Sequence, residues 1–178
     1  MIFYHAVTDR PMRAGQIIRF DGTHHSGVYA RVMEKLPLVE EIYARPEQAG
    51  ELEHHTAVAL RELALEEVRR KKYPMYPSRM SCLYVSETLE EAEKWAEFFV
   101  RWERPVYHIV KLDARGGIFR GEATKCFRGT PDRAENLRLA ERYWENDPAD
   151  IDGKPVREIL VDGEIEVLEI VKEIRVNV

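Results

Sequence analysis

Apolar and polar positions change their spacing several times along this chain, and each spacing predicts an element. Compact apolar runs occur in "IFYHAV" at the N-terminus, in "QIIRF" and in "CLYVS", and turn-like stretches follow the first two. In "VYHIVKL" the apolar side chains of Val106, Val110 and Leu112 share one side of the chain, which is typical of a strand with one apolar face. These segments predict four strands.

Three segments have helical spacing. From about residue 34 to 73 the composition is helical, and "GELEHHTAVALRELALEEVRRKK" predicts one buried face and an opposite charged face in water. In "SETLEEAEKWAEFFVRW" Thr88 and Glu91 have capping-box spacing, and Pro105 ends that helix. A third helix is expected to have Thr130 as its cap and Pro131 in its first turn. The predicted apolar stripes are Leu52, Ala59, Leu60, Leu63, Ala64 and Val68; then Leu89, Ala92, Ala96 and Phe99; then Ala134, Leu137, Ala140 and Trp144.

The C-terminal part contains "VREILVDGEIEVLEIV", which predicts two apolar strands joined by a tight turn at Asp162-Gly163. After Val167 the apolar positions change parity, which predicts a bulge or bend. The segment "DARGGIFRGEATKCFRG" is interpreted as a Gly-rich loop. The order of strands, helices, strands, helix and strands predicts a compact α+β domain.

One acidic residue does not fit the apolar pattern of these last strands. In strict alternation Glu158 shares a face with Val156 and Leu160. A carboxylate at that position is either at a strand end in contact with water or has a functional role.

Composition limits the possible classes of function. With 178 residues and 44% hydrophobic side chains, the chain is long enough for one domain with its own core. A net charge of −5 does not favour tight binding of duplex nucleic acid, although it is compatible with a local basic patch. No apolar run approaches the roughly 18 residues of a membrane span. With no signal peptide pattern, we expect a soluble cytoplasmic protein with reduced thiols at Cys82 and Cys126.

Two further groups of residues suggest weaker alternatives. The adjacent pairs His24-His25 and His54-His55 could supply metal ligands, but no zinc-binding spacing supports them, so no metal is expected. The run "RRKK" at residues 69–72 could contact RNA or DNA phosphates, although such a run is more often a solvated helix end.

Four residues, taken together, carry the main functional hypothesis. His5 lies in the first strand, Tyr84 in "CLYVS", Trp95 on the following helix, and Glu158 near the last strands. Their order and surroundings resemble the ADP-ribosyltransferase superfamily, in the branch with a His-Tyr-Glu triad. The resemblance covers most of the chain apart from a helical insert at about 34–73. It implies a single α+β domain over residues 1–178, with two small packed β-sheets and flanking helices.

The resemblance also implies NAD as a co-substrate and assigns a role to each residue. His5 would hold the NAD ribose, Tyr84 and Trp95 would sandwich the nicotinamide ring, and Glu158 would be the catalytic carboxylate. In the same superfamily an Arg just before the Tyr strand can approach the NAD phosphates, which makes Arg79 a further cofactor contact. The expected reaction is transfer of ADP-ribose to an unknown macromolecular acceptor, protein or nucleic acid, or hydrolysis of NAD, with release of nicotinamide.

The sequence departs from the family pattern at two places. After the His the family commonly has Gly and then Thr or Ser, whereas Ala6 and Val7 follow His5 here, with Thr8 one place late. In some transferases a second acid precedes the catalytic Glu by two residues, and here that position is Val156.

Two non-enzymatic alternatives therefore stay open. One is a transferase-like binding module for a nucleotide or protein partner that has lost the reaction. The other is an interaction protein that uses the helix at 52–72 and exposes an apolar patch there.

Overall fold

The computed structural model describes residues 1–151 and 153–176 and is an α+β fold with two small antiparallel sheets and five α-helices in that part of the chain. The chain divides into two compact units. The first contains Met1–His24, Leu83–Ile118 and Glu158–Val178, and the second contains His25–Cys82 and Phe119–Arg157. The expected single domain stays a prediction.

The first unit is built on a four-stranded antiparallel sheet. Its strands, in spatial order, are β1 (Ile2–Val7), β4 (Val106–Ala114), β7 (Gly163–Val176) and β2 (Ile17–Phe20). The prediction of strands in "IFYHAV", "QIIRF" and "VYHIVKL" is confirmed. Side chains alternate between two faces, and one face packs in a core that includes the fully buried Phe3, Leu112 and Ile165.

The other face of this sheet is covered by α4 (Leu89–Arg101). Thr88 accepts a hydrogen bond from the backbone of Glu91, and the Glu91 side chain bonds back to the Thr88 backbone, so the predicted capping box is confirmed. Ala92 and Ala96 are small enough to bring the helix close to Ala6 and Ile109 of the sheet.

The predicted bulge after Val167 is also confirmed. Leu112 of β4 pairs with Val167, whereas the preceding Lys111 pairs with Glu169, so Leu168 is an extra residue on β7. Beyond the inserted residue, the side chains on a given face of the sheet are at even-numbered instead of odd-numbered positions. This is the change visible in the sequence.

The second sheet has the order β3 (Leu83–Val85), β6 (Arg157–Val161) and β5 (Ile118–Glu122). Its topology shows that the predicted hairpin at Asp162-Gly163 is wrong, because β6 pairs with β3 whereas β7 pairs with β2 and β4. Gly163 does adopt a positive φ of 72°, but it leads the chain from one sheet into the other.

The interpretation of "DARGGIFRGEATKCFRG" as a loop is also wrong, because the segment contains β5 and a short 3-10 helix at Ala123–Lys125. Its glycines and charged residues concealed a strand of five residues, in which Phe119, Gly121 and Glu122 are buried.

The second unit is mainly helical and contains α1 (Gly27–Glu34), α2 (Leu36–Ala44), α3 (His54–Lys72) and α5 (Arg133–Glu145). The first of these begins earlier than the sequence pattern predicted. Asp132, not Thr130, is the N-cap of α5, since its side chain accepts from the backbone N–H of Glu135. The predicted stripe of α5 is wrong at Ala134, which is exposed; the buried residues are Asn136, Ala140, Tyr143 and Trp144.

Candidate functional site

The candidate site lies in the first unit, where β1 contacts the C-terminal end of β3. Tyr4 and Ser86 exchange two backbone hydrogen bonds, from Tyr4 N to Ser86 O at 2.9 Å and from Ser86 N to Tyr4 O at 2.8 Å. One residue further along β1, a side chain makes the contact with β3. Nδ1 of the His5 ring lies 2.7 Å from the carbonyl oxygen of Tyr84. The structure therefore brings together two of the residues predicted from sequence.

The contact fixes the chemical form of the imidazole. A carbonyl oxygen can only accept, so Nδ1 of His5 carries the proton and donates it to Tyr84, which leaves Nε2 as an acceptor. Burial lowers the pKa of His5 to about 4, against a smaller opposing effect of this hydrogen bond. His5 is consequently neutral at neutral pH and can accept a hydrogen bond from a hydroxyl group.

The backbone of Ala6 adds a donor and an acceptor at the same edge. Because Tyr4 turns both its N–H and its C=O toward Ser86, the alternation of an antiparallel ladder turns those of Ala6 to the same side. No hydrogen bond among the described residues reaches them there. The low exposure of Ala6, 5%, includes its side chain, which packs against α4, and a ligand with an amide group would complement both backbone groups.

Glu158 lies on the neighbouring strand and faces the same side as Tyr84. Tyr84 pairs directly with Leu160 in the β3–β6 ladder, and Glu158 is two residues from Leu160, so the three side chains share one face. Glu158 is 9% exposed, which excludes a strand-end carboxylate in open water. The phenol-bearing Tyr84 is 36% exposed on that face.

Trp95 also belongs to the first unit, on α4. Its ring stacks against Phe99 with 5.9 Å between centroids and meets Phe98 edge-on at the same distance. Its predicted contact with a nicotinamide ring stays a prediction.

Arg79 lies in the second unit and is almost fully buried there. Its Nε donates to Glu62 at 3.0 Å, and Nη1 donates to the hydroxyl of Tyr143 at 2.7 Å. Burial alone would raise the pKa of Glu62, but Arg79 and Arg61 hold it below its usual range. Arg79 has a structural role in this unit, and its predicted contact with NAD phosphates stays a prediction.

Sequence reasoning missed two residues of the site. Ser86 follows Val85, which pairs with Ile159, so the register places Ser86 next to Glu158. Its position two residues after Tyr84 in "CLYVS" was the available signal, because strand residues two apart share a face. The backbone role of Ala6 has no side-chain signal and could only be found from the pairing of β1.

The structure also bears on the alternative sites. Each cation of the "RRKK" run contacts an acid: Arg69 and Arg70 bind Glu66, Lys71 binds Glu67, and Lys72 binds Glu141. This run is therefore a neutralised helix end.

The apolar side chains of α3 are buried, so the exposed patch expected of an interaction helix is not found there. Within the described ranges no cluster of three or more His, Cys, Asp or Glu side chains could hold a metal ion. No helix among those the structure describes is long and apolar enough to cross a membrane.

Comparison with known proteins identifies the family of the chain. No curated protein matches the sequence. A family model described as "Protein of unknown function (DUF2441)" matches residues 3–173, a range that includes His5, Tyr84, Trp95 and Glu158. The match spans nearly the whole sequence, so the chain belongs to the DUF2441 family.

Proposed function

We propose that this protein has an ADP-ribosyltransferase-like fold, binds NAD in the first unit, and transfers ADP-ribose to a macromolecular acceptor or, by default, to water. The observation that carries the proposal is the hydrogen bond between His5 and the carbonyl of Tyr84, with Glu158 on the same face of the adjoining strand. We infer from these two observations that the three residues, distant in sequence, act on one ligand.

The edge of β1 offers a reason for choosing a nicotinamide ligand. A carboxamide has both a donor and an acceptor, and the C=O and N–H of Ala6 are the complementary pair on one edge. With the carboxamide held there, Tyr84 is proposed to stack on the cationic pyridinium ring. Trp95 is proposed to complete the stack from α4.

The reaction requires little covalent chemistry from the protein. The bond between C1′ of the ribose and the pyridinium nitrogen breaks, and its electron pair neutralises the leaving nicotinamide. The sugar then carries positive charge until the acceptor oxygen or nitrogen bonds to C1′ and gives up its proton. Catalysis consists of orienting NAD and stabilising this charge.

Each residue has one part in that scheme. Nε2 of His5 accepts a hydrogen bond from a ribose hydroxyl, because Nδ1 is already committed to Tyr84. The Glu158 carboxylate accepts from the ribose 2′-hydroxyl and stabilises the cationic sugar electrostatically. Ser86, which follows the last residue of β3 paired with β6, is proposed to orient the carboxylate.

The decisive test is calorimetric titration of the purified protein with NAD, combined with chromatographic measurement of released nicotinamide. We expect Glu158→Gln to retain NAD binding and to release nicotinamide about 100-fold more slowly or worse. Tyr84→Ala is expected to weaken NAD binding about tenfold through the lost stacking. Glu169→Gln, the same change at an exposed position of β7, is the matched control and should behave as wild type.

The proposal fails if the wild-type protein gives neither heat nor a thermal shift at millimolar NAD. It also fails if Glu158→Gln and Glu169→Gln release nicotinamide equally fast.

A binding module that has lost the reaction is the second candidate, and the altered segment after His5 favours it. Val7 is buried in the core, and the hydroxyl of Thr8 accepts a hydrogen bond from Arg104 at 3.0 Å. The side chains of Val7 and Thr8 are thus already engaged within the protein. On this alternative, NAD or another nucleotide binds but nicotinamide release is absent from the wild-type protein as well.

A further inference from the structure

The last turns of α4 carry a set of aromatic rings in mutual contact. Phe98 stacks with Trp102 at 5.9 Å between centroids and 17° between planes. Trp102 follows the last residue of the helix and is 60% exposed, whereas the helix face toward the sheet is buried. A large flat ring is therefore held against a second ring and presented to solvent.

Guanidinium groups accompany these rings. Arg101 lies over the ring of Phe98, with 5.7 Å from its central carbon to the centroid, and Arg104 lies 4.7 Å over Phe99. Such stacking orients the flat guanidinium groups beside the aromatic rings.

The charges of these arginines are poorly neutralised. Among the described residues Arg101 has no ion pair, and Arg104 has a single long one, 3.8 Å from the highly exposed Asp9. Arg10 follows Asp9, whose contact with Arg104 brings this segment to the end of α4; Arg10 is also exposed and has no ion pair within the described ranges. We refer to Phe98, Arg101, Trp102, Arg104 and Arg10 as the Trp102 surface.

The cations of the Trp102 surface differ in their pairing from those of the "RRKK" run. The more conspicuous "RRKK" run has every cation bound to a carboxylate. On the Trp102 surface the nearby acids are Asp9, Glu97 and Glu103, and none lies closer to a guanidinium than the 3.8 Å contact of Asp9. These arginines therefore keep the capacity to bind anions.

An exposed flat ring beside arginines that are unpaired or weakly paired is complementary to a ligand that is both flat and anionic. Unpaired bases stack on aromatic side chains while arginines contact the phosphates, which is how single-stranded nucleic acids are bound. Duplex bases are already stacked and cannot reach the ring. A protein partner would instead require a contiguous apolar patch, and Trp102 is the one large apolar side chain of this helix end that is exposed.

We propose that the Trp102 surface binds single-stranded nucleic acid by stacking a base on Trp102 and contacting phosphates through Arg101, Arg104 and Arg10. This binding goes beyond the proposed NAD chemistry and does not require it. Such binding is compatible with the net charge of −5, because base stacking contributes affinity that does not depend on the overall charge of the protein.

The test is fluorescence anisotropy in the absence of NAD. Labelled RNA and DNA single strands of about twelve nucleotides are compared with the same sequence as a duplex and with an acidic peptide of equal charge. We expect the single strands to bind most tightly, with affinity that falls as salt rises. Trp102→Ala should weaken single-strand binding about tenfold or more, and Trp102→Phe should retain most of it.

A charge-matched pair of variants separates local from general electrostatics. Arg10→Ala with Arg101→Ala removes two unpaired cations, and Arg70→Ala with Lys71→Ala removes two that are exposed but paired. The first should weaken binding about tenfold, and the second should change it less than about twofold. Circular dichroism and thermal melts verify that each variant is folded.

Three results would overturn the proposal: no single-strand binding, equal losses in the two double variants, or tighter binding of the acidic peptide than of the strands. The last result would assign the surface to a protein partner. Because NAD is absent throughout, failure here leaves the proposed NAD site unaffected.

Discussion

The ring nitrogen Nδ1 of His5 donates to the main-chain carbonyl of Tyr84 at 2.7 Å, so the bond does not depend on the Tyr84 side chain. Tyr84→Ala therefore leaves His5 in place. We expect this variant to lose no more than about 1.5 kcal/mol of unfolding free energy, since the side chain is partly exposed. Urea denaturation measures this value alongside the tenfold loss of NAD affinity expected above.

A matched substitution distinguishes a binding residue from a structural one. Tyr143→Ala removes a fully buried ring of the second unit and should cost about 3–5 kcal/mol. If Tyr84→Ala were as damaging as Tyr143→Ala, the stacking role of Tyr84 could not be separated from a role in folding.

Acid should destabilise the protein through His5. Burial lowers the pKa of His5 to about 4 in the folded protein, from 6.5 for the ordinary side chain. Between these values the unfolded chain binds a proton that the folded protein does not, so stability from the neutral ring is present above pH 6.5 and lost as pH falls toward 4. The loss should be on the order of 2–3 kcal/mol between about pH 7.5 and about pH 4.5.

The measurement compares denaturation of the wild type with His5→Gln at the two pH values. Glutamine can still donate to the Tyr84 carbonyl but does not titrate, so other acid-sensitive groups contribute equally to both proteins. The stability difference between them should shrink or reverse at low pH. A difference that is independent of pH would contradict the assignment of a neutral, buried imidazole.

Local signals predicted the elements well where the chain follows a local rule. The α4 helix was predictable because Thr88 and Glu91 satisfy each other within one turn, and β1 because its apolar run is bounded by turn residues. The same reasoning failed at Asp162-Gly163. A positive φ at Gly163 is a local property, whereas the choice of partner strand depends on residues far away in sequence.

For the candidate site, the sequence allowed His5, Tyr84 and Glu158 to be named because each stands out from its own strand. The structure pairs the strands of Tyr84 and Glu158 and brings His5 to the Tyr84 carbonyl, and the role of the three residues stays a prediction. The carbonyl that binds His5 and the open edge of Ala6 are main-chain features, which no residue type marks. The burial of Glu62 beside Arg79 was missed for a related reason, since a charged residue on an amphipathic helix normally indicates the wet face.

Gly116, between β4 and β5, should be intolerant of a side chain, because it packs against Asp162 where the chain passes from β6 to β7. A Cβ atom added there would lie 2.2 Å from the carbonyl oxygen of Asp162, a backbone atom that cannot easily move. Gly116→Ala is expected to cost about 2–3 kcal/mol or more of unfolding free energy. Gly27→Ala is the control, because a Cβ there meets open space, and it should be neutral or stabilise by up to about 1 kcal/mol. Equal melting temperatures for the two variants would contradict this close approach.

The buried pair of Glu62 and Arg79 should show strong coupling in a double-mutant cycle. The two side chains are 3% and 7% exposed, so removal of either partner leaves a charge that is shielded from water. Glu62→Leu and Arg79→Met are each expected to cost about 3–5 kcal/mol of unfolding free energy. The double variant should cost clearly less than the sum, since neither Glu62 nor Arg79 is left without the other, and Arg61, the second partner of Glu62, is only partly buried.

The same double variant tests the predicted contact of Arg79 with NAD phosphates. Because it leaves no Glu62 carboxylate without its Arg79 partner, it is expected to be more stable than Arg79→Met, so a change in NAD affinity is not a consequence of unfolding. A tenfold weaker NAD titration in the double variant would support the phosphate contact. Unchanged affinity would leave Arg79 with a structural role, which includes the ion pair with Glu62 and the hydrogen bond to Tyr143.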